Sequence, residues 1–275
     1  MSDGPERSEE SNAKKEFALL RDRLRHHMTV FERARLQGFF TEEWLEETVP
    51  VETARGPLSF VILGRLSAGR ARTLLTKQPT TIEWIDGFAP DSVFWDIGAN
   101  IGVYTLYAAL RKDIRIVAFE PVAVNYYLLA ANCEANEVDD RVDALLLGVG
   151  DGRRVGRIEA SQFRPARSFS FTGKRNKPYR ARQSALILSM DQLVEDFGLP
   201  CPNYIKIDTP DMSEAILAGG ARLLHRLELR EIHMELGEEP QGEPSITELL
   251  GAAGFVASER YAHRGGISDV TFVRR

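Results

Sequence analysis

The chain has 275 residues, 43% of them hydrophobic and 27% charged, and its 35 Lys and Arg against 40 Asp and Glu leave a formal net charge of −5. This length and balance admit one large globular domain with an ordinary core and exclude a disordered or collagen-like chain. The acidic balance argues against a dedicated nucleic-acid binder, and the two cysteines, Cys133 and Cys201, lack the spacing of a disulfide framework or zinc site, so a cytoplasmic protein is expected.

Residues 1–14 are mostly Ser, Glu, Asp, Lys and Asn, offer little to bury and are expected to form a disordered tail. The opening stretch MSDGPERSEESNAKKE lacks the apolar centre of a secretory signal, and no run approaches the roughly 18 apolar residues of a membrane span. From Glu16 to Phe40, the spacing of Phe17, Leu20, Leu24, Met28 and Phe31 predicts an amphipathic helix. With Arg21, Arg23, Arg25, His26 and His27 on it, it is expected to cover the acceptor pocket, mediate dimerisation or touch an acidic surface, a structural lid being the plainest role. TVPVETA and LSFVIL, separated by Arg55-Gly56-Pro57, predict a hairpin. Helix and hairpin make an α+β extension over residues 15–82.

Strands then alternate with helices through a main domain at 83–275, the signature of an α/β fold with a mostly parallel sheet. VFWDIG, IRIVAFEP and VDALLLGVG are its first strands, with helices at VYTLYAALRK and from about Asn125 to Asn136. Residues 151–183 interrupt the rhythm and read as an insertion with short pieces such as RIEA and SFSFTG. SALILS and the helix MDQLVEDFG follow, then the strand NYIKIDT, a helix from about Ser213 to His225, the strand EIHMELG and a helix from about Ser245 to Ala253. A closing antiparallel pair, FVASERYA and DVTFVRR, brings the main sheet to seven strands, with helices on both faces.

Gly98 and Gly102 bracket Ala99-Asn100-Ile101 directly after the strand VFWDI, at the crevice where open α/β sheets bind ligands. Glycine lets the backbone approach a ligand and leaves free N–H groups at the start of the next helix. Glu120 ends the next strand, 22 residues beyond Gly98, where a carboxylate accepts hydrogen bonds from both ribose hydroxyls of an adenosine cofactor. Asp96 favours S-adenosylmethionine (SAM), with its cationic sulfonium and ammonium, over a pyrophosphate. Asn100 stands where a dinucleotide fingerprint has its second glycine, which makes a nicotinamide-dependent oxidoreductase the lesser alternative.

The strings DIGANIGVYTL, VAFEP and NYIKID, the last followed by AILAGG, resemble the FkbM family of SAM-dependent methyltransferases over roughly residues 83–256. TKQPTTIEWIDGF, just ahead, is similar to that family's lead-in. The resemblance implies a Rossmann-like SAM methyltransferase fold and O-methylation of a sugar, glycolipid or secondary-metabolite hydroxyl. It implies that Asp96, Gly98, Asn100 and Gly102 hold the methionine end of SAM, Glu120 the ribose and Asp151 the adenine. One departure bears on the acceptor side. The family continues KID with a small apolar residue, an acidic residue, glycine, any residue and glutamate, whereas here Thr209-Pro210-Asp211-Met212-Ser213 follows Asp208. A SAM-binding protein without transferase activity is the alternative this opens.

Methyl transfer to an alcohol needs an aligned acceptor oxygen and a proton acceptor. Alternation puts Lys206 and Asp208 on one face of a strand whose end points at the crevice, making Asp208 the first candidate base; capping the next helix or pairing with Lys206 are its structural alternatives. His233 and Glu235 share a face of the following strand, as a base with its orienting carboxylate or as a mutually satisfied polar pair. Asp208, Asp211 and Glu235 show no metal-ligand spacing, and no metal is expected. Between Arg153 and Arg182, ten Lys and Arg stand against Glu159, interleaved with Phe163, Phe169, Phe171 and Tyr179. Such a stretch is a solvated loop or a dock for an anionic acceptor.

Overall fold

The N-terminal helical stretch breaks in two at Thr29. Helices α1 (Pro5–His27) and α2 (Val30–Glu46) meet at this residue, whose extended backbone ends the first and caps the second. The Thr29 hydroxyl accepts from the Glu32 amide at 3.2 Å, and the Glu32 carboxylate accepts from the Thr29 amide at 2.7 Å. This reciprocal cap starts a new helix where periodicity alone predicts a continuous one. Because α1 begins at Pro5, residues 5–14 are helical rather than the expected tail; Pro suits a first turn, and Glu and Lys are good helix formers. The two helices make up the first of two compact units, Met1–Glu47; the second is Thr48–Arg275. The structure, a computed structural model, describes residues 5–169, 180–236, 246–262 and 268–275.

The second unit opens with the expected hairpin, β1 (Thr48–Val51) antiparallel to β2 (Leu58–Val61). Helices α3 (Arg65–Arg72), α4 (Leu74–Lys77) and α5 (Pro79–Asp86) lead to β3 (Val93–Ile97), α6 (Val103–Ala109), β4 (Arg115–Phe119), α7 (Ala123–Ala135) and β5 (Val142–Leu145). Leu58, Phe60 and Val61 are buried, and the Val61 amide donates to Asn132 Oδ1 of α7 at 2.7 Å. The hairpin is thereby built into this unit, which moves the expected boundary from 82/83 to 47/48.

The single strand expected at VDALLLGVG divides. Its first half is β5; its second, β6 (Gly148–Gly150), joins β7 (Arg154–Ala160) and β8 (Ala181–Ser189) in a separate sheet of order β6-β8-β7. The insertion therefore folds as a small sheet, while residues 170–179, including Phe171 and Tyr179, lie outside the described residues. After α8 (Met190–Glu195) come β9 (Tyr204–Ile207), a 3-10 turn at Pro210–Met212, α9 (Ser213–Ala218), β10 (Glu231–Leu236), α10 (Ile246–Ala252), β11 (Phe255–Ala262) and β12 (Ser268–Arg274).

Seven strands form the main sheet in the order β11-β12-β10-β9-β3-β4-β5. The run from β10 to β5 is parallel, and β12 is antiparallel to both its neighbours. Alternation along the strands divides the two faces sharply. On one, Trp95, Ile97, Val117, Phe119, Ile205, Ile207, Ile232, Met234, Val270 and Phe272 join Leu193, Ile216, Leu217 and Leu250 from the helices in one apolar core. The other carries Asp96, Lys206, His233 and Thr271 in register across β3, β9, β10 and β12. That polar row positions the site.

Candidate functional site

Three left-handed residues shape the turn after β3: Gly98 (φ 83°), Asn100 (φ 57°) and Gly102 (φ 84°). A Cβ on Gly98 would meet Thr209 Cγ2 at 2.7 Å and the Asp208 carbonyl oxygen at 3.0 Å, and one on Gly102 would meet Leu129 Cδ1 at 2.5 Å. Only glycine fits either position. The Gly98 and Ala99 amides donate to the Phe119 carbonyl at 2.9 and 3.0 Å, which ties the turn to the end of β4.

Glu120 stands at that end, 4% exposed. Its Oε2 accepts from the Asn100 amide at 2.9 Å and its Oε1 from the Val122 amide at 2.8 Å. A carboxylate offers about four lone-pair sites, so each oxygen retains capacity for another donor. Burial pushes this carboxyl up to about 7, against the lowering pull of the two amides, the Asn125 side chain and Arg70.

Gly98, Asn100, Glu120, Asn125, Asp208 and Glu235 line one cavity of about 330 Å³, within the range of small-molecule clefts. Arg70, Lys77 and Arg167 line it too. A short piece of the insertion is fastened to the glycine turn and to α7. The Arg167 carbonyl accepts from Asn100 Nδ2 at 3.1 Å and Asn125 Nδ2 at 3.0 Å, and the Ala166 amide donates to Asn125 Oδ1 at 2.8 Å. Arg70 adds a bond from Nε to the Ala166 carbonyl at 2.7 Å.

Lys206, 3% exposed, organises the charges at the end of β9. Its Nζ lies 3.2 Å from Asp208 Oδ2, 4.0 Å from Asp96 Oδ1 and 4.9 Å from the centre of the Tyr104 ring. Burial alone would raise the Asp208 carboxyl, but Lys206, with Lys77 and Arg70, holds it below its usual value. Glu235 shifts the opposite way, raised by burial and then by the charges of Asp208 and Asp269. Two neighbouring carboxyls pushed apart in this manner can hold different protonation states, the arrangement of an acid and a base.

Of the residues singled out in the sequence, Gly98, Asn100, Glu120, Phe169, Asp208, Asp211 and Glu235 line this one cavity. Gly102 caps α6 beside it. Asp96 is buried beneath the turn, where its Oδ2 accepts from the Thr105 hydroxyl at 2.6 Å; it is not among the lining residues. His233 is not among the residues lining this cavity. Its Nε2 and Nδ1 are hydrogen-bonded to the Thr81 and Thr271 hydroxyls, each at 2.9 Å, and Trp84 stacks on the ring at 4.9 Å. Burial, then Lys206, pushes the imidazole down to about 3, so at neutral pH it is uncharged with both nitrogens engaged. Asp151 is also displaced. Because β6 leaves the main sheet, Asp151 is carried away from the cavity, exposed and paired with Arg154. In the altered loop, Asp211 lines the cavity.

Sequence reasoning missed Arg70, Lys77 and Asn125. The first two lie in short helices that show no period, and their only signal is the basic run GRARTLLTK; Asn125 is one polar residue in an apolar helix.

The model of the methyltransferase FkbM domain matches residues 96–257, more than half of the chain. The chain belongs to the FkbM methyltransferase family. Its cofactor is SAM, and the site has features that fit it: a turn closed to any Cβ, the buried carboxylate of Glu120, and buried Asn100 Oδ1 and Thr209 Oγ1 with no hydrogen-bond partner among the described residues. Among curated relatives, the hexuronic acid methyltransferase AglP of Haloferax volcanii is 24% identical over 184 residues, covering 67% of this chain and 72% of that protein. The 31-O-demethyl-FK506 methyltransferase FkbM of Streptomyces tacrolimicus is 34% identical over 98 residues, 34% of this chain and 37% of that protein. Among solved structures, a SAM-dependent methyltransferase from Agrobacterium tumefaciens aligns with a TM-score of 0.48 at 10% identity, covering 83% of this chain and 70% of that one.

Proposed function

We propose that this FkbM-family chain transfers the methyl group of SAM to a hydroxyl of an acidic sugar. The observation that carries the reading is a single cavity holding both a ribose-type carboxylate, Glu120, and a split carboxyl pair, Asp208 and Glu235, with Arg70, Lys77 and Arg167 in its lining. The relative named as a hexuronic acid methyltransferase supports the acceptor class.

SAM, when bound, supplies an electrophilic methyl group on its sulfonium. Glu120 accepts the ribose hydroxyls with its remaining lone pairs, and the backbone from Gly98 to Gly102 holds the methionine end. Asp96 supports that turn from below through Thr105. Asp208, kept ionised by Lys206, accepts the hydroxyl proton as the acceptor oxygen attacks. Glu235, more readily protonated, donates a hydrogen bond that orients the acceptor. The three cations pair with the sugar carboxylate, a charge-assisted contact that a neutral sugar forgoes.

The test is transfer of tritiated methyl from SAM to methyl glucuronide and, in parallel, to methyl glucoside. Labelling of the glucuronide with at least about tenfold preference is expected from one lost charge-assisted contact of ~1.4 kcal/mol. Equal labelling of both sugars would remove the acidic acceptor. SAM binding with neither sugar labelled would favour a binding protein whose altered Thr209–Ser213 loop no longer supports transfer.

A further inference from the structure

The polar sheet face that bears Asp208 and Glu235 continues toward the far edge of the sheet. Glu235 on β10 faces Asp269 on β12, and Asp269 faces Tyr261 on β11, so the three residues form one transverse row. Two strand spacings, about 10 Å, separate its ends, more than a single pyranose ring spans. A second cavity of about 270 Å³ opens along this row, and Thr80, His233, Tyr261, Asp269 and Thr271 are in its lining. Glu235 lines the first cavity and its ladder partner Asp269 lines the second, so one pair of facing residues contributes to both.

The lining has the chemistry of sugar recognition. Tyr261 is 46% exposed and offers a ring face with a polar tip. Asp269 is buried and held in place: its Oδ1 accepts from Gln78 Nε2 at 3.1 Å, and Gln78 Oε1 accepts from the Tyr104 hydroxyl at 2.6 Å. A carboxylate fixed in this way is a preorganised acceptor for ligand hydroxyls. Thr80 adds a buried hydroxyl with no hydrogen-bond partner among the described residues, a group that needs a partner when water is excluded. The exposed Arg260 also lines the cavity, opposite in charge to Asp269, and convergent polar groups beside one aromatic ring suit a polyhydroxylated ligand better than a lipid chain.

We propose that this second cavity is a subsite for the sugar unit adjoining the one that is methylated, so that the enzyme acts on an oligosaccharide rather than on a free monosaccharide. The inference rests on the acidic-sugar reading of the first cavity and extends it. The row from Glu235 to Tyr261 sets the direction of the sugar chain, away from Glu120 and toward the β11 edge.

The experiment compares kcat/KM for methyl glucuronide and for a disaccharide ending in glucuronic acid, in the native chain and in Tyr261→Ala and Thr80→Val. The native chain is expected to favour the disaccharide by at least about tenfold, the value of one good contact set. Each variant should lose most of that preference while its monosaccharide kcat/KM and SAM affinity stay unchanged. Equal efficiency on the two sugars in the native chain, or a parallel fall on both in the variants, overturns the subsite and leaves the acidic-sugar reading standing. Transfer to neither sugar while SAM binds removes that reading and the subsite with it.

Discussion

Replacing Glu120 by glutamine keeps the length of the side chain and removes a buried charge. In the folded chain the carboxyl is raised from 4.5 to about 7, chiefly by burial. At 1.36 kcal/mol per unit, that difference amounts to about 3 kcal/mol of linkage between protonation and folding. The folded value is the higher one, so the stabilisation is complete below pH 4.5 and is lost as pH rises through 7. Between pH 5 and pH 8 the loss is about 2–3 kcal/mol. Glutamine does not titrate, and it leaves the Asn100 or Val122 amide without an acceptor, a pH-independent penalty of about 1–3 kcal/mol. Urea unfolding of both proteins across this range reads the effect directly. The advantage of the native chain over Glu120→Gln should shrink by about 2–3 kcal/mol from pH 5 to pH 8, or roughly 4–12 °C in melting temperature for a unit of this size. A constant offset at every pH would show that burial does not raise the Glu120 carboxyl, against the environment described for it.

Asp208→Asn should keep SAM affinity within about twofold while kcat falls by about 10²–10⁴, the span of a lost general base; full turnover in a folded variant would exclude Asp208 from proton transfer. Gly98→Ala puts a methyl group 2.7 Å from Thr209 Cγ2 at a φ of 83°, so calorimetry should find SAM binding weakened at least about tenfold, and native affinity would mean the turn does not contact the cofactor. His233→Ala should lower stability by about 1–3 kcal/mol by orphaning the Thr81 and Thr271 hydroxyls, with the pH dependence of kcat unchanged; a shifted profile would restore His233 as a base.

The α/β alternation was legible because the central strands β3, β4 and β9 are short, largely apolar runs, with helices after them in the chain. Gly98, Gly102 and Glu120 were legible for a different reason: a left-handed turn and a carboxylate at a strand end leave a fixed spacing in the chain. Tertiary partners leave no such trace. Nothing near Asp151 announces that Gly148-Val149-Gly150 pairs with β8 rather than extending β5, and this switch removes Asp151 from the site. His233 and Glu235 alternate alike along β10, and only the hydroxyls of Thr81 and Thr271, 152 and 38 residues away in sequence, engage the former and leave the latter facing the cavity. The break at Thr29 was readable in principle, since Thr29 and Glu32 form a capping box; the apolar period running through it masked the signal.

A crystal structure with S-adenosylhomocysteine tests the site most directly. Its homocysteine end should lie against the backbone from Gly98 to Gly102, both ribose hydroxyls should bond the Glu120 carboxylate, and the sulfur should face Asp208. Density for the nucleoside in the cavity beside Tyr261, or a ribose out of reach of Glu120, would contradict that arrangement.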